Sequence, residues 1–174
     1  VDDSDPQWRK KKAEYTGASE QEGNSNVRYR DWDTLKYWFR GVEKYAPWVR
    51  YVWFVTDDQK PDWLDTNHPK LKWVKHTDYI PEEYLPTFQS HVIEWNLHRI
   101  EGLAEQFVYF NDDMFPMKEC KPTDFFRDGK GVIRVSYHLL ALDMFKQICH
   151  NSNRVARKAL GLKPSVLFLR PQHV

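Results

Sequence analysis

The feature that most constrains the fold is an alternation of helix and strand patterns. One helix face is predicted from the apolar spacing of Leu35, Trp38, Phe39 and Val42. This helix should begin at an Asp33 cap and end before Pro47. The runs 51–56 and 71–75 are rich in β-branched and aromatic residues, which is typical of strands. The alternation predicts an α/β fold, a layered sheet with helices on both faces, continued by a strand over 132–135 and helical residues over 139–160.

A pair of adjacent carboxylates, Asp112 and Asp113, follows the run Phe107–Phe110 and Asn111. That run is predicted to be a buried strand. Ligands bind beyond the carboxyl ends of strands in open α/β sheets, and two adjacent acids suit a hard cation such as Mg²⁺ or Mn²⁺. The alternative is an ordinary turn, because Asn and Asp side chains bond their own backbone after strands.

Length and charge exclude several classes of protein. A chain of 174 residues is long enough for one domain with a real core and short for two. The 26 basic and 25 acidic residues predict no bulk attraction to nucleic acid. No apolar run approaches the roughly 20 residues of a membrane span, although peripheral membrane association stays open. The sequence does not indicate an oligomeric state.

The first residues, Val1 to Pro6, cluster three acids that usually follow a strand. We therefore expect a first strand outside this sequence. Residues 9–27 are polar, contain Gly and Ser, and lack an apolar period, so they are predicted to be a mobile loop.

A second group of polar residues lies on a predicted helix, residues 87–102. Its buried stripe would be formed by Ile93, Leu97 and Ile100. The opposite face has His91, Glu94 and His98, flanked by Ser90 and Arg99. Such a face is usually only solvated, but two histidines around a glutamate are an uncommon choice there. Glu94 and His98 could also simply pair with each other.

Two strings resemble the second shared region of the Stealth family: RYRDWDTLKYWFRGVEKYAPWVR at 28–50 and LPTFQSHVIEWNLHRIEGLAEQFVYFNDDMF at 85–115. VDDSDP at 1–6 resembles its first region, and Gln172-His173 the start of its third. The fourth region is absent. We therefore expect one catalytic-type domain over 1–174, a fragment lacking the first strand and the last family region.

The resemblance implies a hexose-1-phosphate transferase. Stealth proteins include bacterial capsular polysaccharide phosphotransferases and the catalytic subunit of the animal N-acetylglucosamine-1-phosphate transferase. They take a nucleotide sugar, typically a UDP-hexose such as UDP-GlcNAc, and move the sugar-1-phosphate onto a hydroxyl of another sugar. The implied fold is nucleotide-sugar-transferase-like, Rossmann-like or GT-A-like. The implied location is the bacterial cytoplasm, at the inner membrane face, or the Golgi lumen in a eukaryote.

The resemblance also implies roles for single residues. Asp112 and Asp113 would hold Mg²⁺ or Mn²⁺ on the donor diphosphate, and His98 or His91 would be the base for the acceptor hydroxyl. The substrate-binding set comprises phosphate clamps, nucleotide-side acids and neighbours of the catalytic groups: Arg28, Arg30, Arg99, Asp3, Asp5, Ser90, Glu94 and Asn111. The arginines at 28 and 30 could instead form a solvated ion-pair cluster, and the acids at 3 and 5 a fraying terminus.

Two other functions fit parts of the pattern. A metal-dependent GT-A glycosyltransferase also takes nucleotide sugars, but it breaks the glycosidic bond and usually has Asp-x-Asp after a strand. The second alternative function is that of a non-catalytic domain that binds a nucleotide sugar. The product nucleotide separates the first alternative, and metal-dependent donor binding tests the second.

Overall fold

The computed structural model describes residues 4–16, 29, 31–132 and 144–163. The chain divides into two compact units, residues 1–129 and 130–174. The first unit contains α1 (Pro6–Thr16), α2 (Leu35–Tyr45), β1 (Val52–Thr56), β2 (Leu71–Lys75), α3 (Ser90–Asn96) and β3 (Phe126–Arg127). The second contains β4 (Lys130–Gly131) and α4 (Met144–Ala159). The expectation of one domain over residues 1–174 stays a prediction.

The strands β1 and β2 form a parallel pair, with Val52 opposite Leu71 and Thr56 opposite Lys75. Side chains alternate between the two faces of a strand. Trp53 and Val55 pack on one side against the buried core, whereas Phe54 contacts Phe39 of α2 on the other, with ring centroids 6.0 Å apart. Helical segments therefore lie on both faces of the strand pair, which agrees with the α/β class. A larger Rossmann-like or GT-A-like sheet stays a prediction.

The core of the first unit lies between the strand pair and α3. It consists of Val74, Tyr79, Ile80, Leu97 and Ile100. Ile93 packs against this cluster, so the apolar stripe expected on the helix is confirmed. Burying side chains of this size stabilises a fold by about 1.5–3 kcal/mol each. This packing fixes the rotation of α3 about its own axis, so the opposite face of α3 is exposed to solvent.

The helix itself is shorter than the predicted span 87–102. The α-helical part is Ser90–Asn96, and Leu97–Arg99 continues as a single turn of 3-10 helix. Gly102 follows in the left-handed region, at φ 80°. The α2 helix matches its prediction closely, although Thr34 rather than Asp33 occupies the N-cap position.

The predicted loop over residues 9–27 is corrected in its first part, because α1 extends to Thr16. The cap explains this helix: Asp5 Oδ1 accepts a hydrogen bond from the Gln7 backbone N–H at 2.9 Å, and Pro6 needs no partner at the first helical position. Trp8, only 4% exposed, fixes the helix on the unit. The loop residues beyond Thr16 lie outside the described residues.

The predicted buried strand over Phe107–Phe110 is also wrong. These residues belong to no strand, and Phe107 and Tyr109 are 41% and 45% exposed. Val108 and Phe110 are half-buried. The side chains therefore alternate as they do in a strand, but a strand also needs a neighbouring edge to bond with, and none of the described residues provides one.

Helix α4 of the second unit confirms residues 144–159 of the predicted helical region. It ends in a Schellman motif, in which the Leu162 N–H donates to the Arg157 carbonyl at 2.8 Å and the Gly161 N–H to the Lys158 carbonyl at 3.2 Å. Gly161 has φ 67°, which this cap requires. Of the strand predicted over 132–135, only Val132 is described, just after β4.

No helix among the described residues combines the length and apolar character needed to cross a membrane.

Candidate functional site

Asp112 and Asp113 occupy the tip of an exposed turn. The Met114 backbone N–H donates to the Asn111 carbonyl at 3.2 Å and closes the turn around the two acids. Both side chains are exposed. Within the part of the chain that the structure describes, neither carboxylate forms an ion pair. Their oxygens are thus turned toward solvent and available to a ligand.

Helix α2, rather than a strand, fixes the two ends of this turn. Before the turn, the ring of Phe110 contacts Trp38 with centroids 6.1 Å apart. After it, Pro116 is buried against Gly41, where an added Cβ would lie 3.1 Å from the Pro116 carbonyl oxygen. A long-range backbone hydrogen bond from Cys120 N–H to the Tyr45 carbonyl, 2.8 Å, continues this attachment. The acids are therefore held in place although they are exposed.

Tyr109 connects the acid turn with α3. Its hydroxyl donates to Glu94 Oε1 at 3.3 Å. Burial, together with the hydrogen bond to Glu94 and the charges of Glu94, Asp112 and Asp113, raises the pKa of Tyr109 to about 12. All three carboxylates therefore act on one phenol. The structure brings Glu94 of the predicted helix face together with the predicted acid pair.

The exposed face of α3 continues from Glu94 along a stripe of His91, Trp95 and His98. His98 Nδ1 lies 2.8 Å from the Trp95 carbonyl oxygen. A carbonyl oxygen only accepts hydrogen bonds, so this contact favours the tautomer in which Nδ1 has the proton and Nε2 has the lone pair. His98 is thus oriented as a proton acceptor.

The remaining predicted site residues do not form a common cluster with the acid turn in the described part of the chain. Ser90 is the first residue of α3 and is exposed. Arg99 is exposed in the 3-10 turn, where its charge opposes the upward pKa shift that Glu83 causes at Tyr84. Asp3, Arg28 and Arg30 lie outside the described residues.

A second polar cluster lies at the carboxyl ends of β1 and β2, where Asp57 and His76 follow the two strands. Lys11 of α1 contacts both oxygens of Asp57, at 2.8 and 2.9 Å. The His76 side chain, 6% exposed, has Nδ1 3.8 Å from Asp57 Oδ1, which is too long for a hydrogen bond. Burial lowers the pKa of His76, and the Asp57 charge partly opposes this. Burial therefore favours the neutral form of His76.

Asp5 belongs to this second cluster. Gln59 Nε2 donates to Asp5 Oδ2 at 3.0 Å, and this bond, followed by the Gln7 backbone bond, lowers the pKa of Asp5. Asp58 pairs with Lys75. Asp57 and Asp58 show the same sequence pattern, adjacent acids after a predicted strand, that singled out Asp112 and Asp113. The two pairs differ in their partners, since Lys11 of α1 contacts Asp57 and Lys75 of β2 contacts Asp58, and no local sequence pattern reveals these contacts.

No group of three or more His, Cys, Asp or Glu side chains within the described ranges is arranged to hold a metal ion. A cation at the acid turn would therefore have two protein carboxylates and would take its other ligands from water or substrate. Mg²⁺ is commonly bound in this way, through one or two carboxylates and substrate phosphates.

Comparison with known proteins identifies the family. Residues 28–133, more than half of the chain, match the model described as Stealth protein CR2, conserved region 2. The chain belongs to the Stealth family. The matched region contains α2, β1, β2, α3 and the acid turn, whereas Asp5 and α1 precede it.

The chain is similar to several streptococcal proteins of this family. It is 56% identical over 131 residues to a receptor polysaccharide phosphotransferase, WefC, of Streptococcus oralis, a match covering 74% of the chain and 40% of that protein. It is 44% identical over 178 residues to a capsular polysaccharide phosphotransferase, CpsJ, of Streptococcus thermophilus, covering 97% of the chain and 75% of that protein. A capsular polysaccharide phosphotransferase, WcwK, of Streptococcus pneumoniae is 53% identical over 131 residues, covering 74% of the chain and 40% of that protein. The match thus spans well under half the length of WefC and WcwK.

Proposed function

We propose that this Stealth chain is part of the catalytic region of a polysaccharide phosphotransferase. It would transfer a hexose-1-phosphate from a UDP-hexose type of donor to a sugar hydroxyl in the synthesis of a capsular or cell-surface polysaccharide. The similarity to CpsJ along 97% of the chain supports this activity. The observation on which the proposal rests is the exposed acid pair, held in place by α2 and joined through Tyr109 to the polar face of α3.

The donor set at the turn fits a hard divalent cation. Asp112 and Asp113 offer carboxylate oxygens to solvent, and no described cation neutralises them. We propose that they hold Mg²⁺ or Mn²⁺ together with the diphosphate of the donor. A cation bound there would offset the negative charge that develops on the departing nucleotide phosphate.

His98 is the better of the two candidate bases. Its Nδ1–H is directed to the Trp95 carbonyl, so Nε2 can take the proton of the acceptor hydroxyl. The acceptor oxygen then attacks the phosphorus that bears the hexose, the phosphoanhydride bond breaks, and UMP leaves. His91 lies two turns before His98 on the same exposed stripe and remains the alternative base.

The other predicted residues have supporting roles in this proposal. Arg99 and, outside the described residues, Arg28 and Arg30 would bind phosphate oxygens, for which the guanidinium fork is well shaped. Glu94 accepts the Tyr109 hydrogen bond and so keeps α3 and the acid turn in register. Ser90, Asn111, Asp3 and Asp5 complete the proposed substrate-binding set. We place the reaction in the cytoplasm at the membrane face, consistent with capsule assembly.

The product nucleotide tests the proposal directly. The purified full-length protein is incubated with Mg²⁺, each of several UDP-hexoses and a panel of sugar acceptors, and the nucleotide released is identified by chromatography. The expected product is UMP in step with transfer. Release of UDP would instead indicate a GT-A type of sugar transfer, and donor binding that is independent of metal, without turnover, would indicate a non-catalytic domain.

A further inference from the structure

We propose that Trp95 is the stacking platform for the acceptor sugar, and that it sets which acceptor rings the enzyme takes. This inference rests on the proposed function and adds the acceptor side of the same site. It is drawn from the surface of α3, where Trp95 lies between the two candidate bases along the helix.

Trp95 is 79% exposed, which is more than any other aromatic side chain that the structure describes. Single exposed apolar residues are common on protein surfaces and need no explanation by themselves. The exposure of Trp95 indicates a binding role because of where the residue lies on α3. It shares the exposed stripe of α3 with His91 and His98, while Leu97 and Ile100 hold the opposite side of the segment in the core.

Helix geometry puts the indole close to the reacting groups. Residues three and four apart on a helix have Cβ atoms about 5–6 Å apart, which applies to Trp95 with His91 and, approximately, to Trp95 with His98. The backbone carbonyl of Trp95 also orients the His98 ring. The neighbouring Glu94 contacts Tyr109, whose phenol responds to the charges of Asp112 and Asp113. A sugar ring lying on Trp95 would therefore have a hydroxyl within reach of His98.

The chemistry of the two substrates favours the acceptor as the occupant. The donor has a diphosphate, which the acid pair with its cation and Arg99 can fix. A neutral acceptor sugar has no such charge and needs another means of orientation. The C–H groups on one face of a pyranose have a small positive charge, and they are attracted to the negative face of an aromatic ring. A Trp side chain also offers a large rigid surface at a low entropic cost.

The test compares Trp95→Ala and Trp95→Phe with the matched control Tyr51→Ala in the full-length protein. Tyr51 is 50% exposed and directly precedes β1, so it lies at the opposite end of this strand from Asp57. The acceptors are methyl α- and β-glycosides of glucose, galactose and N-acetylglucosamine, with UDP-hexose as donor, and KM is measured separately for donor and acceptor.

We expect Trp95→Ala to raise the acceptor KM about tenfold, a loss typical of an aromatic stacking contact, and to change the donor KM less than about twofold. Trp95→Phe should recover most of the acceptor affinity, because a ring is restored. The order of preference among the six glycosides should change in Trp95→Ala and remain in Tyr51→Ala.

Three results would overturn the proposal. An unchanged acceptor KM in Trp95→Ala would exclude the platform. A higher donor KM with an unchanged acceptor KM would assign Trp95 to the nucleobase. A thermal midpoint lowered by more than about 5 °C in both Trp95→Ala and Trp95→Phe would mean that Trp95 packs against another part of the protein. Failure of the wild-type protein to release UMP with any donor would instead refute the proposed function itself, and the acceptor platform with it.

Discussion

Two pairs of adjacent aspartates follow aromatic-rich segments of this protein, and they differ in what surrounds their oxygens. Asp57-Asp58 stands at the end of β1, and both acids have lysine partners, Lys11 and Lys75. Asp112-Asp113 stands in an exposed turn, and neither acid forms an ion pair with a described residue. The charge of the first pair is already compensated within the fold, and the charge of the second is left for a ligand.

This difference separates a structural acid pair from a candidate binding pair. A cation arriving at Asp57 would have to displace Lys11, whose ammonium contacts both carboxylate oxygens. It would also approach a side chain that is only 12% exposed. At the acid turn a cation meets neither obstacle. The partners of an acid pair, more than its place after a strand, therefore indicate what the pair does.

The largest effect is expected at the acid turn. Asp112→Asn and Asp113→Asn should each lower the rate of UMP release by about 10³-fold, because a bound cation supplies several kcal/mol of charge stabilisation. Both side chains are exposed, so the thermal midpoint should change little. Steady-state kinetics and thermal unfolding of the same samples give both quantities. Near-normal turnover in either variant would refute the assignment.

A smaller effect is expected at His98. His98→Gln should lower kcat by about 10²-fold while leaving donor affinity nearly unchanged, because a general base acts mainly in the chemical step. His91→Gln is the matched control on the same stripe and should have a weak effect. The reverse order of the two variants would make His91 the base.

At the lysine-paired acids the expected effect is on stability. Asp57→Asn should lower the free energy of unfolding by about 1–2 kcal/mol, since a hydrogen bond to a charged group is lost in a half-buried setting. Lys11→Met should have a similar effect, and the double variant should cost less than the sum of the two. Urea denaturation measures all three. Additive effects would mean that the two residues act independently and would weaken the contrast between the acid pairs.

The smallest effect concerns pH. The pKa of folded His76 is lowered by burial, whereas an unfolded His titrates near pH 6.5. As the pH falls through this value, the unfolded chain takes up a proton that the folded protein still excludes, so the free energy of unfolding decreases. Urea denaturation at pH 7.5 and 5.5 should show this loss in the wild type and a smaller loss in His76→Leu. An equal loss in both proteins would assign the pH dependence to other groups.

Local patterns in the sequence predicted the elements that are determined locally. The strands β1 and β2 and the apolar stripe of α3 on the core are confirmed, and the apolar face of α2 is half-buried, because each follows its own sequence periodicity. Glu94, Asp112 and Asp113 also lie near one another, since the charges of all three act on the Tyr109 phenol, while their roles in a site stay predictions.

The predictions of secondary structure were wrong where contacts with residues distant in the sequence determine the conformation. Residues 9–16 lack an apolar period, yet they are helical because of the Asp5 cap, the buried Trp8 and the contact from Lys11 to Asp57, 46 residues away. The Phe107–Phe110 run has the alternation of a strand but no partner edge among the described residues. Neither the lysine of a remote helix nor the absence of a neighbouring strand can be deduced from a short stretch of sequence.

The absence of a side chain at position 41 has a consequence for the whole acid turn. Gly41 allows Pro116 to pack closely against the backbone of α2: a Cβ atom there would lie 3.2 Å from Pro116 Cγ and 3.1 Å from its carbonyl oxygen, which are tight contacts. A methyl group at position 41 would therefore require Pro116 or α2 to shift by a few tenths of an ångström. Phosphoryl transfer depends on reacting groups being aligned on that scale. The missing side chain at Gly41 thus helps to set the position of the two carboxylates relative to α2.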